Sequence, residues 1–455
     1  MPSQLSLLVD FYELAMAQSY FNYKFNTHAT FDLFVRKLPA NRSYLLFCGL
    51  EDVINYLEKL KFSKDDLSYL SSLKVFSKDF LRFLEKFRFR GDVYALREGE
   101  IFFANEPMLR VTASIIEAQI VESCLLNTVN LQTMISSKSC RIVNVAGDRG
   151  VYDFSLRRTH GKDAAVKVAR SCYIAGFKGT SNVLAAKTYK ILAVGTMAHS
   201  FVMSFDSEID SFRAFANTFP KRTILLVDTY NSIKGISNAV IIAKELKKKG
   251  FALKGIRLDS GDLISLSKVA RRMLNNAGLH SVRIFASGNL DEYKINNITK
   301  ARAPIDDFGV GTNMGTSCDA PFLDVIYKIS EVSDSTGRFL PTMKLSQRKV
   351  TYPGRKQIYR FQERGSYKKD IIALEGEMIR NGQPLLRQVI KKGKVIYRFP
   401  SLSEIKDCAR KNLFKLPQQY KSLDKKSKYP VQISPSLKKA IGRLSLALKK
   451  KSGNA

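Results

Sequence analysis

The spacing of apolar and polar residues divides the chain into a mixed first part, a regular central part and a basic last part. In the first part, helical spacing in "LLVDFYELAMAQSYF", "GLEDVINYLEKL" and "KDFLRFLEKF" alternates with strand-like runs such as "ATFDLFVRKLP", "GDVYAL" and "PMLRVTAS". A long apolar helix, "IIEAQIVESCLLNTVNLQTMISSKS", ends this part. The pattern predicts an N-terminal α/β domain over residues 1–138.

The central part repeats short apolar runs typical of strands, and amphipathic helices such as "KDAAVKVARSCYIA" and "ISNAVIIAKELKKK" fill most of the gaps. The runs are "CRIVNVA", "VYDFSLR", "YIAGFKG", "KILAVGT", "TILLVDT", "LKGIRLD", "VRIFASG" and "DFGVGT". Strands that alternate with helices predict parallel βα units. An open doubly wound sheet fits this alternation, but the number of units favours a closed barrel. We predict an irregular βα barrel over residues 139–330.

The last part, residues 331–455, is strand-like at first and then rich in lysine. Between Ala409 and Ala455 it holds 13 Lys and Arg residues against the single Asp424. The whole chain has a formal charge of +33. Such a charge is typical either of a nucleic-acid binder or of an enzyme for phosphorylated metabolites with a basic surface. Because most of the excess is spread along the chain, the pattern favours the second interpretation.

Polar side chains follow the predicted strands of the central part at the downstream end of each run. They are Arg157, Lys178, Thr196, His199, Asp228, Arg257, Asp259, Ser287, Gly311 and Thr312. In βα barrels the loops after the strands build the active site. His199, which on its own fits a buried core position, is therefore predicted to belong to a ring of functional groups.

Two glycine-containing loops are candidates for phosphate binding. "FGVGTNMGTSCDAP" holds Gly311 and Thr312, and "FASGNLDEY" holds Ser287 and Gly288. Glycine lets backbone N–H groups approach a phosphate, and hydroxyl groups add further donors. A plain turn in the first loop and a helix cap in the second are the alternatives.

Charged residues complete the candidate site. Arg257 keeps its charge and suits a carboxylate or a phosphate, while Asp259 suits ribose hydroxyls or a hydrated Mg²⁺, with helix capping as the alternative. Asp262 fits a helix cap better. Arg157 lies in a basic cluster that suits an anion, although a solvated loop explains it equally well. These groups, without a hydrolase triad, favour a reaction that holds a phosphorylated sugar near a leaving diphosphate.

Composition excludes several other classes of protein. The apolar runs are broken by charge before the length that a membrane span needs, so we expect no membrane segment. The N-terminus lacks the basic region of a signal peptide. Six scattered cysteines without a CxxC pair argue against zinc and disulfides and favour a cytoplasmic location.

Taken together, the motifs resemble those of the nicotinate phosphoribosyltransferase family. In family order they are "LLVDFYELAMAQSYF", "FVRKLP", "DFSLRRTHG", "GFKGTSN", "VGTMAHSFVMSF", "IRLDSGDL", "ASGNLDEY", "GVGT" and "MKLS". The resemblance implies an enzyme that makes nicotinate mononucleotide and diphosphate from nicotinate and phosphoribosyl diphosphate. It also implies an α/β fold in which a C-terminal region packs back on the N-terminal domain, and a homodimer with the active site near the subunit interface.

The resemblance also implies roles for particular residues. His199 would be phosphorylated by ATP, and hydrolysis of the phosphohistidine would drive the transfer; a neutral imidazole nitrogen is a suitable phosphoryl acceptor. Tyr12 and Thr196 would seat nicotinate, and Arg257 would meet its carboxylate or a substrate phosphate. Thr312 would bind phosphoribosyl diphosphate. Mg²⁺ would be held mainly by the substrate phosphates.

Two features depart from the family pattern. Ala175 and Lys178 stand where we expect a glycine and an acidic residue, and the family does not explain the basic tail. We expect weak binding of polyanions, nucleic acid included, through that tail. A nicotinamide or quinolinate phosphoribosyltransferase, or a degenerate member that binds polyanions, are the alternative functions.

Overall fold

The computed structural model describes residues 5–345 and 351–451. Its helices are α1 (Phe11–Tyr23), α2 (Leu50–Lys59), α3 (Lys64–Ser72), α4 (Lys78–Glu85), α5 (Ile115–Ile120), α6 (Glu122–Ala146), α7 (Lys162–Ala175), α8 (Val183–Tyr189), α9 (His199–Met203), α10 (Glu208–Thr218), α11 (Ser232–Lys248), α12 (Leu263–Asn276), α13 (Glu292–Lys300), α14 (Thr312–Gly315), α15 (Leu402–Lys415), α16 (Gln418–Lys421) and α17 (Pro435–Lys451). None of these helices is long and apolar enough to cross a membrane.

The strands are numbered in chain order. They are β1 (His28–Val35), β2 (Leu45–Leu46), β3 (Asp92–Ala95), β4 (Ile101–Phe102), β5 (Pro107–Ser114), β6 (Gly150–Asp153), β7 (Gly179–Thr180), β8 (Leu192–Ala193), β9 (Ile224–Leu226), β10 (Gly255–Leu258), β11 (Arg283–Ala286), β12 (Asp307–Val310), β13 (Val325–Ser333), β14 (Phe339–Pro341), β15 (Lys356–Glu363), β16 (Ser366–Leu374), β17 (Gln383–Pro384), β18 (Arg387–Lys391), β19 (Lys394–Val395) and β20 (Val431–Ile433).

The chain forms two compact units. Unit 1 combines the residues up to Ser137 with those from Phe322 onward, and unit 2 runs from Lys138 to Pro321. The division into domains 1–138, 139–330 and 331–455 stays a prediction. In the structure β13 pairs with β1, so this strand belongs to a sheet of unit 1.

Unit 1 is built on a seven-stranded antiparallel sheet in the order β14-β13-β1-β5-β3-β18-β19. Strand β1, the third in this order, pairs with β13 and β5 and is buried over seven of its eight residues. A second sheet, in the order β17-β15-β16-β20, comes entirely from the C-terminal part of the chain.

Buried ion pairs join the two chain segments of unit 1. Arg360, on β15, contacts Glu100 at 2.8 Å and Asp370 at 2.6 Å, and all three side chains are buried. Lys356 contacts Asp32 of β1 at 2.6 Å, with both side chains buried as well. Breaking one such partner leaves a buried charge uncompensated. These contacts confirm that the C-terminal region packs back on the N-terminal domain.

Unit 2 contains a curled parallel sheet in the order β8-β7-β6-β12-β11-β10-β9. This sheet, with helices between successive strands, confirms the irregular βα barrel in the form of a half-barrel. Strands β8 and β9 follow each other along the chain, yet they lie at opposite edges of the sheet. The barrel is therefore open between them, so the expectation of a closed barrel is wrong, and residues 194–223 connect its two edges.

Two of the runs predicted as strands belong wholly or partly to helices. "CRIVNVA" forms the end of α6, and the first residues of "YIAGFKG" end α7, so that only Gly179 of this run is in a strand. Short apolar runs fit a buried helix as well as a strand. No glycine or proline separates "CRIVNVA" from the helix before it, so the helix continues. The other six runs contain strands β6 and β8–β12, as predicted.

Candidate active site

The downstream ends of the parallel strands in unit 2 surround a cavity of about 300 Å³. Seven of the predicted site residues line it: Arg157, Arg257, Asp259, Ser287, Gly288, Gly311 and Thr312. A second cavity of about 450 Å³ shares Asp259, Gly288 and Asn289 with the first. The parallel direction of the strands explains this convergence, because it brings all their carboxyl ends to one edge.

Arg257, near the end of β10, connects three loops of this site. Its Nε atom donates to Ser287 Oγ at 3.0 Å, and one terminal nitrogen donates to Thr196 Oγ1 at 2.8 Å and to the Met197 carbonyl at 3.1 Å. The other terminal nitrogen donates to Asp259 Oδ1 at 3.1 Å. Four of the five N–H groups of the guanidinium are thus engaged, which fixes the plane of the fork and leaves one donor for a ligand.

Asp259 stays ionised because of its neighbours. Burial alone would raise the pKa of its carboxyl, but the hydrogen bond from Ser287 and the charge of Arg257 hold this pKa below its usual value. A carboxylate that accepts from both groups has a fixed orientation and a permanent negative charge at the cavity wall.

Asp228, which follows β9, supports the loop that carries Asp259. Its Oδ2 atom accepts from the backbone N–H of Asp259 at 2.7 Å and from the N–H and hydroxyl of Ser260, both at 2.8 Å. Its Oδ1 atom is buried and has no hydrogen-bond partner among the residues that the structure describes. A buried acceptor without a partner lowers stability, so the position of Asp228 is retained at a cost that its bonds to the Asp259 loop offset.

His199 lies at the N-terminus of α9 with both ring nitrogens in defined surroundings. Nδ1 lies 3.1 Å from Thr229 Oγ1, and Nε2 lies 3.9 Å from Asp259 Oδ2. The side chain is 39% exposed, in contrast to a core histidine. The structure therefore brings His199 to the same carboxylate that holds Arg257.

The loop after β11 needs glycine at position 288. Gly288 has φ +93°, and a Cβ atom there would lie 1.9 Å from the Asp259 carbonyl oxygen. Any side chain would thus push apart the loops after β10 and β11. The following loop is attached to this one, since the amide of Asn313 donates to the Asn289 carbonyl at 3.2 Å. Gly311 and Thr312 begin α14 at this point and line the cavity.

The loop after β6 supplies cations and an aromatic ring. Arg157 and Arg158 are exposed to solvent and line the cavity, together with Phe154. Asp153 is buried, and its carboxylate accepts from the Ser155 backbone N–H at 2.9 Å and from the Thr180 hydroxyl at 2.7 Å. Burial raises the pKa of Asp153 in spite of these hydrogen bonds. This carboxylate fixes the start of the basic loop.

Asp262 is a helix cap, as predicted. Its side chain accepts from the backbone N–H groups of Ile264 and Ser265 at 3.0 and 3.2 Å, at the start of α12. Hydrogen bonds from Ser265 lower the pKa of the Asp262 carboxyl.

Tyr12 lies on α1 of unit 1, where its neighbour is Glu13. Its ring is about half exposed, and its hydroxyl donates to Glu13 Oε1 at 3.3 Å. The Ser123 hydroxyl also donates to Glu13 Oε1, at 2.9 Å. Burial raises the pKa of the Glu13 carboxyl to about 7.

Sequence reasoning missed two residues of this arrangement and gave a third no role. Phe154 stands inside the "DFSLRR" motif but looks like an ordinary strand residue, and its ring lies 6.0 Å from the Arg257 guanidinium carbon. Thr229 directly follows Asp228, and only the fold brings it to His199. Asp228 is visible as a polar residue after a strand, but its bond to the next loop is not.

The fold and the site define a βα-barrel enzyme for anionic, phosphorylated substrates. Its cavity carries three arginines, hydroxyl groups and glycine loops, and a histidine stands at its edge. Within residues 5–345 and 351–451, no group of three or more His, Cys, Asp or Glu side chains is arranged to hold a metal ion.

Comparisons with known proteins agree with this class. The nicotinate phosphoribosyltransferase (NAPRTase) N-terminal domain matches residues 7–130, the NAPRTase family model matches residues 150–337, and the C-terminal domain matches residues 380–441. The chain belongs to the nicotinate phosphoribosyltransferase family.

Individual relatives are similar over nearly their whole length. Nicotinate phosphoribosyltransferase pncB2 of Mycobacterium tuberculosis is 46% identical over 441 residues, which cover 96% of this chain and 94% of that protein. The nicotinate phosphoribosyltransferase of Bacillus subtilis is 39% identical over 94% of this chain and 93% of its own length. The crystal structure of human nicotinic acid phosphoribosyltransferase has a TM-score of 0.86 at 25% identity, and the match covers 96% of this chain and 99% of that one.

Proposed function

We propose that this enzyme joins nicotinate to phosphoribosyl diphosphate, which makes nicotinate mononucleotide and releases diphosphate. The observation that carries the proposal is the position of Arg257, which connects the loops of Thr196, Asp259 and Ser287 at the wall of the cavity. The family membership of the chain supplies the pair of substrates. The reaction is the first step in making NAD from nicotinate.

The cavity offers groups that match both substrates. The free N–H of Arg257 meets the nicotinate carboxylate or a substrate phosphate, and the flat ring of Phe154 stands beside this guanidinium. Arg157 and Arg158 lie on another side of the cavity, where Thr312 adds a hydroxyl. Arginine suits phosphate because its fork donates two parallel hydrogen bonds. Asp259 accepts hydrogen bonds from ribose hydroxyls.

The residues present favour bond cleavage without a protein nucleophile attached to the sugar. The C1–diphosphate bond breaks as the nicotinate nitrogen forms its bond to C1, and the bonding electrons leave with the diphosphate. Cations around the leaving group stabilise the negative charge that develops there. Arg157, Arg158 and Arg257 line the cavity and supply the positive charge for this step.

A Mg²⁺ ion fits the oxygen groups of this site. Asp259, which lines the cavity, offers the hard oxygen ligand that Mg²⁺ prefers. Its carboxylate would hold the ion together with the substrate phosphates, which would supply most of the ligands. When bound, it neutralises charge on the phosphates.

We further propose that ATP phosphorylates His199. Thr229 Oγ1 lies beside Nδ1, so a proton on Nδ1 leaves the lone pair of Nε2 for the γ-phosphorus atom. Nε2 forms a bond to phosphorus as the bond to ADP breaks, and water later hydrolyses the phosphohistidine to imidazole and inorganic phosphate. In this tautomer the Nδ1 proton is donated to the Thr229 hydroxyl oxygen. ATP is therefore a co-substrate of the transfer.

We propose a homodimer that resides in the cytoplasm. The edge strand β8 has both residues exposed, and the neighbouring helix α8 exposes Val183 and Leu184 at 71% and 62%. An unpaired strand edge with apolar neighbours favours contact with a second copy. None of the six cysteines, all of which the structure describes, forms a disulfide, and this supports a reducing compartment.

The test is a product assay by chromatography. Purified enzyme receives phosphoribosyl diphosphate and Mg²⁺ with nicotinate, nicotinamide or quinolinate in separate reactions. We expect nicotinate mononucleotide from nicotinate alone. A faster reaction with nicotinamide or quinolinate would show that this compound, and not nicotinate, is the substrate. Failure to form product with any of the three would favour the alternative that the protein only binds polyanions.

A further inference from the structure

The C-terminal helix α17 carries a row of cations on its outer face. Lys439, Arg443, Leu446 and Lys450 are spaced four, three and four residues apart, so they lie in one row on a helix with 3.6 residues per turn. Lys438 lies beside this row. All five residues are exposed, and no acidic residue occurs anywhere in α17. The outer face therefore carries four positive charges and no negative charge.

The opposite face of the helix is apolar and turned toward the protein. Leu437 is buried, and Ile441, Leu444 and Leu448 are half-buried. A helix that binds a lipid surface inserts its apolar face, and in α17 that face is already covered. Leu446 is the sole large apolar side chain in the outer row. This arrangement disfavours a membrane as the partner.

The spacing of the row suits a polymer of phosphates. Lys439 and Lys450 are separated by about 16 Å along the helix, at 1.5 Å per residue. One strand of a nucleic-acid duplex presents a charge about every 3.4 Å along its axis, so the row spans about five phosphates. The helix has no aromatic residue to stack on the bases of a single strand.

We propose that the outer face of α17 binds the phosphate backbone of double-stranded nucleic acid. Contacts from lysine and arginine to phosphates hold a duplex in position without selecting a sequence. The site lies on unit 1 and is separate from the residues of the active site. It gives the basic tail a defined binding surface in place of a general attraction.

The experiment measures binding of the full chain to a random-sequence, fluorescein-labelled 30-base-pair RNA duplex by anisotropy, between 50 and 300 mM KCl. The test variant combines Lys439→Glu, Arg443→Glu and Lys450→Glu. We expect its Kd at 100 mM KCl to rise at least about tenfold, and the slope of log K against log salt to become shallower by about 2 to 3. The rate of nicotinate mononucleotide formation should not change.

A matched control distinguishes the effect of the α17 face from the effect of the net charge of the protein. Lys244→Glu, Lys247→Glu and Lys248→Glu change the exposed side of α11 in unit 2 by the same number of charges. We expect this control to keep its Kd within about threefold. An equal loss in both variants would overturn the proposal, since it would assign binding to the overall charge.

Two further results would also overturn the proposal. One is no binding of the duplex by the unmodified chain at 100 mM KCl. The other is binding of α17 to phosphatidylserine vesicles with no binding of RNA.

Hydrogen exchange of the unmodified enzyme gives a measurement that does not depend on folding of the variants. The backbone amides of residues 435–451 should gain protection when RNA is added. Unchanged exchange there would contradict the proposed site.

Discussion

The Nε2 atom of His199 lies 3.9 Å from the Oδ2 atom of Asp259. The other carboxylate oxygen of Asp259 accepts hydrogen bonds from Ser287 and Arg257. One carboxylate thus lies between the histidine and the groups that line the phosphate cavity. A phosphoryl group on Nε2 would stand next to Asp259, so phosphorylation of the histidine would change the electrostatic surroundings of the bound sugar phosphate.

Arg257→Lys tests the fork that connects the site loops. Lysine keeps the charge but loses the planar set of donors that reaches Ser287, Thr196 and Asp259 together. We expect kcat/KM for nicotinate mononucleotide formation to fall about 10- to 100-fold in steady-state assays. Arg213→Lys, in a surface ion pair with Glu245, is the control and should leave the rate within about twofold. An unchanged rate in Arg257→Lys would mean that charge alone suffices.

Gly288→Ala tests the close approach of two loops. The added Cβ atom would meet the Asp259 carbonyl oxygen at 1.9 Å, so the loops after β10 and β11 must separate. Gly278→Ala is the matched control, because Gly278 also has positive φ, at +71°, but open space around it. We expect Gly278→Ala to lower the free energy of unfolding by about 1 kcal/mol in urea titrations and to keep activity.

Gly288→Ala should reduce both stability and activity more than Gly278→Ala does. We expect its free energy of unfolding to fall by about 1–3 kcal/mol more, and its rate of product formation to fall at least about tenfold. Equal effects of the two variants would show that the backbone angle, and not contact with Asp259, limits position 288.

Glu13→Gln tests a titration near neutral pH. Burial raises the pKa of Glu13 to about 7 in the folded state, above the ordinary value of 4.5. The protonated form therefore stabilises the fold fully below pH 4.5, and this contribution is lost as pH rises through 7. Glutamine stays neutral, so the variant should gain stability relative to wild type between pH 5 and pH 8 in urea titrations.

The surface residue Glu58 provides the comparison for this series. Glu58→Gln makes the same replacement at an exposed position, and the gain of Glu13→Gln is measured against it at each pH. A difference for Glu13→Gln that stays constant between pH 5 and pH 8 would show that the Glu13 carboxyl does not titrate in this range. Because the Tyr12 hydroxyl donates to Glu13, the KM for nicotinate at the two pH values would show whether this titration reaches the substrate.

The sequence predicts much of unit 2 because the patterns that mark its strands and site residues lie within short segments of the chain. Each of these strands is a short, mostly apolar run, and a polar residue follows it directly in the loop, as for Asp259 and Ser287. The open barrel was not predictable, because closure depends on pairing between β8 and β9, which lie more than thirty residues apart in the chain. The pattern of each strand alone is the same in an open and in a closed sheet.

The parts of the fold and of the site that the sequence does not predict depend on contacts between residues far apart in the chain. Asp228 accepts hydrogen bonds from the loop of Asp259, and Thr229 meets His199, although neither pair is related by spacing in the sequence. The pairing of β13 with β1 likewise joins residues about three hundred positions apart. Such contacts depend on the fold, so only the structure reveals which polar residues act together.

The role of His199 is tested by measuring how ATP changes the rate of nicotinate mononucleotide formation in wild type and in His199→Ala. His280→Ala, at an exposed position, is the control. We expect ATP to raise the rate of wild type and of His280→Ala, and to have no effect on His199→Ala, which keeps its ATP-independent rate. Undiminished stimulation in His199→Ala would contradict the assignment of His199 as the phosphoryl acceptor.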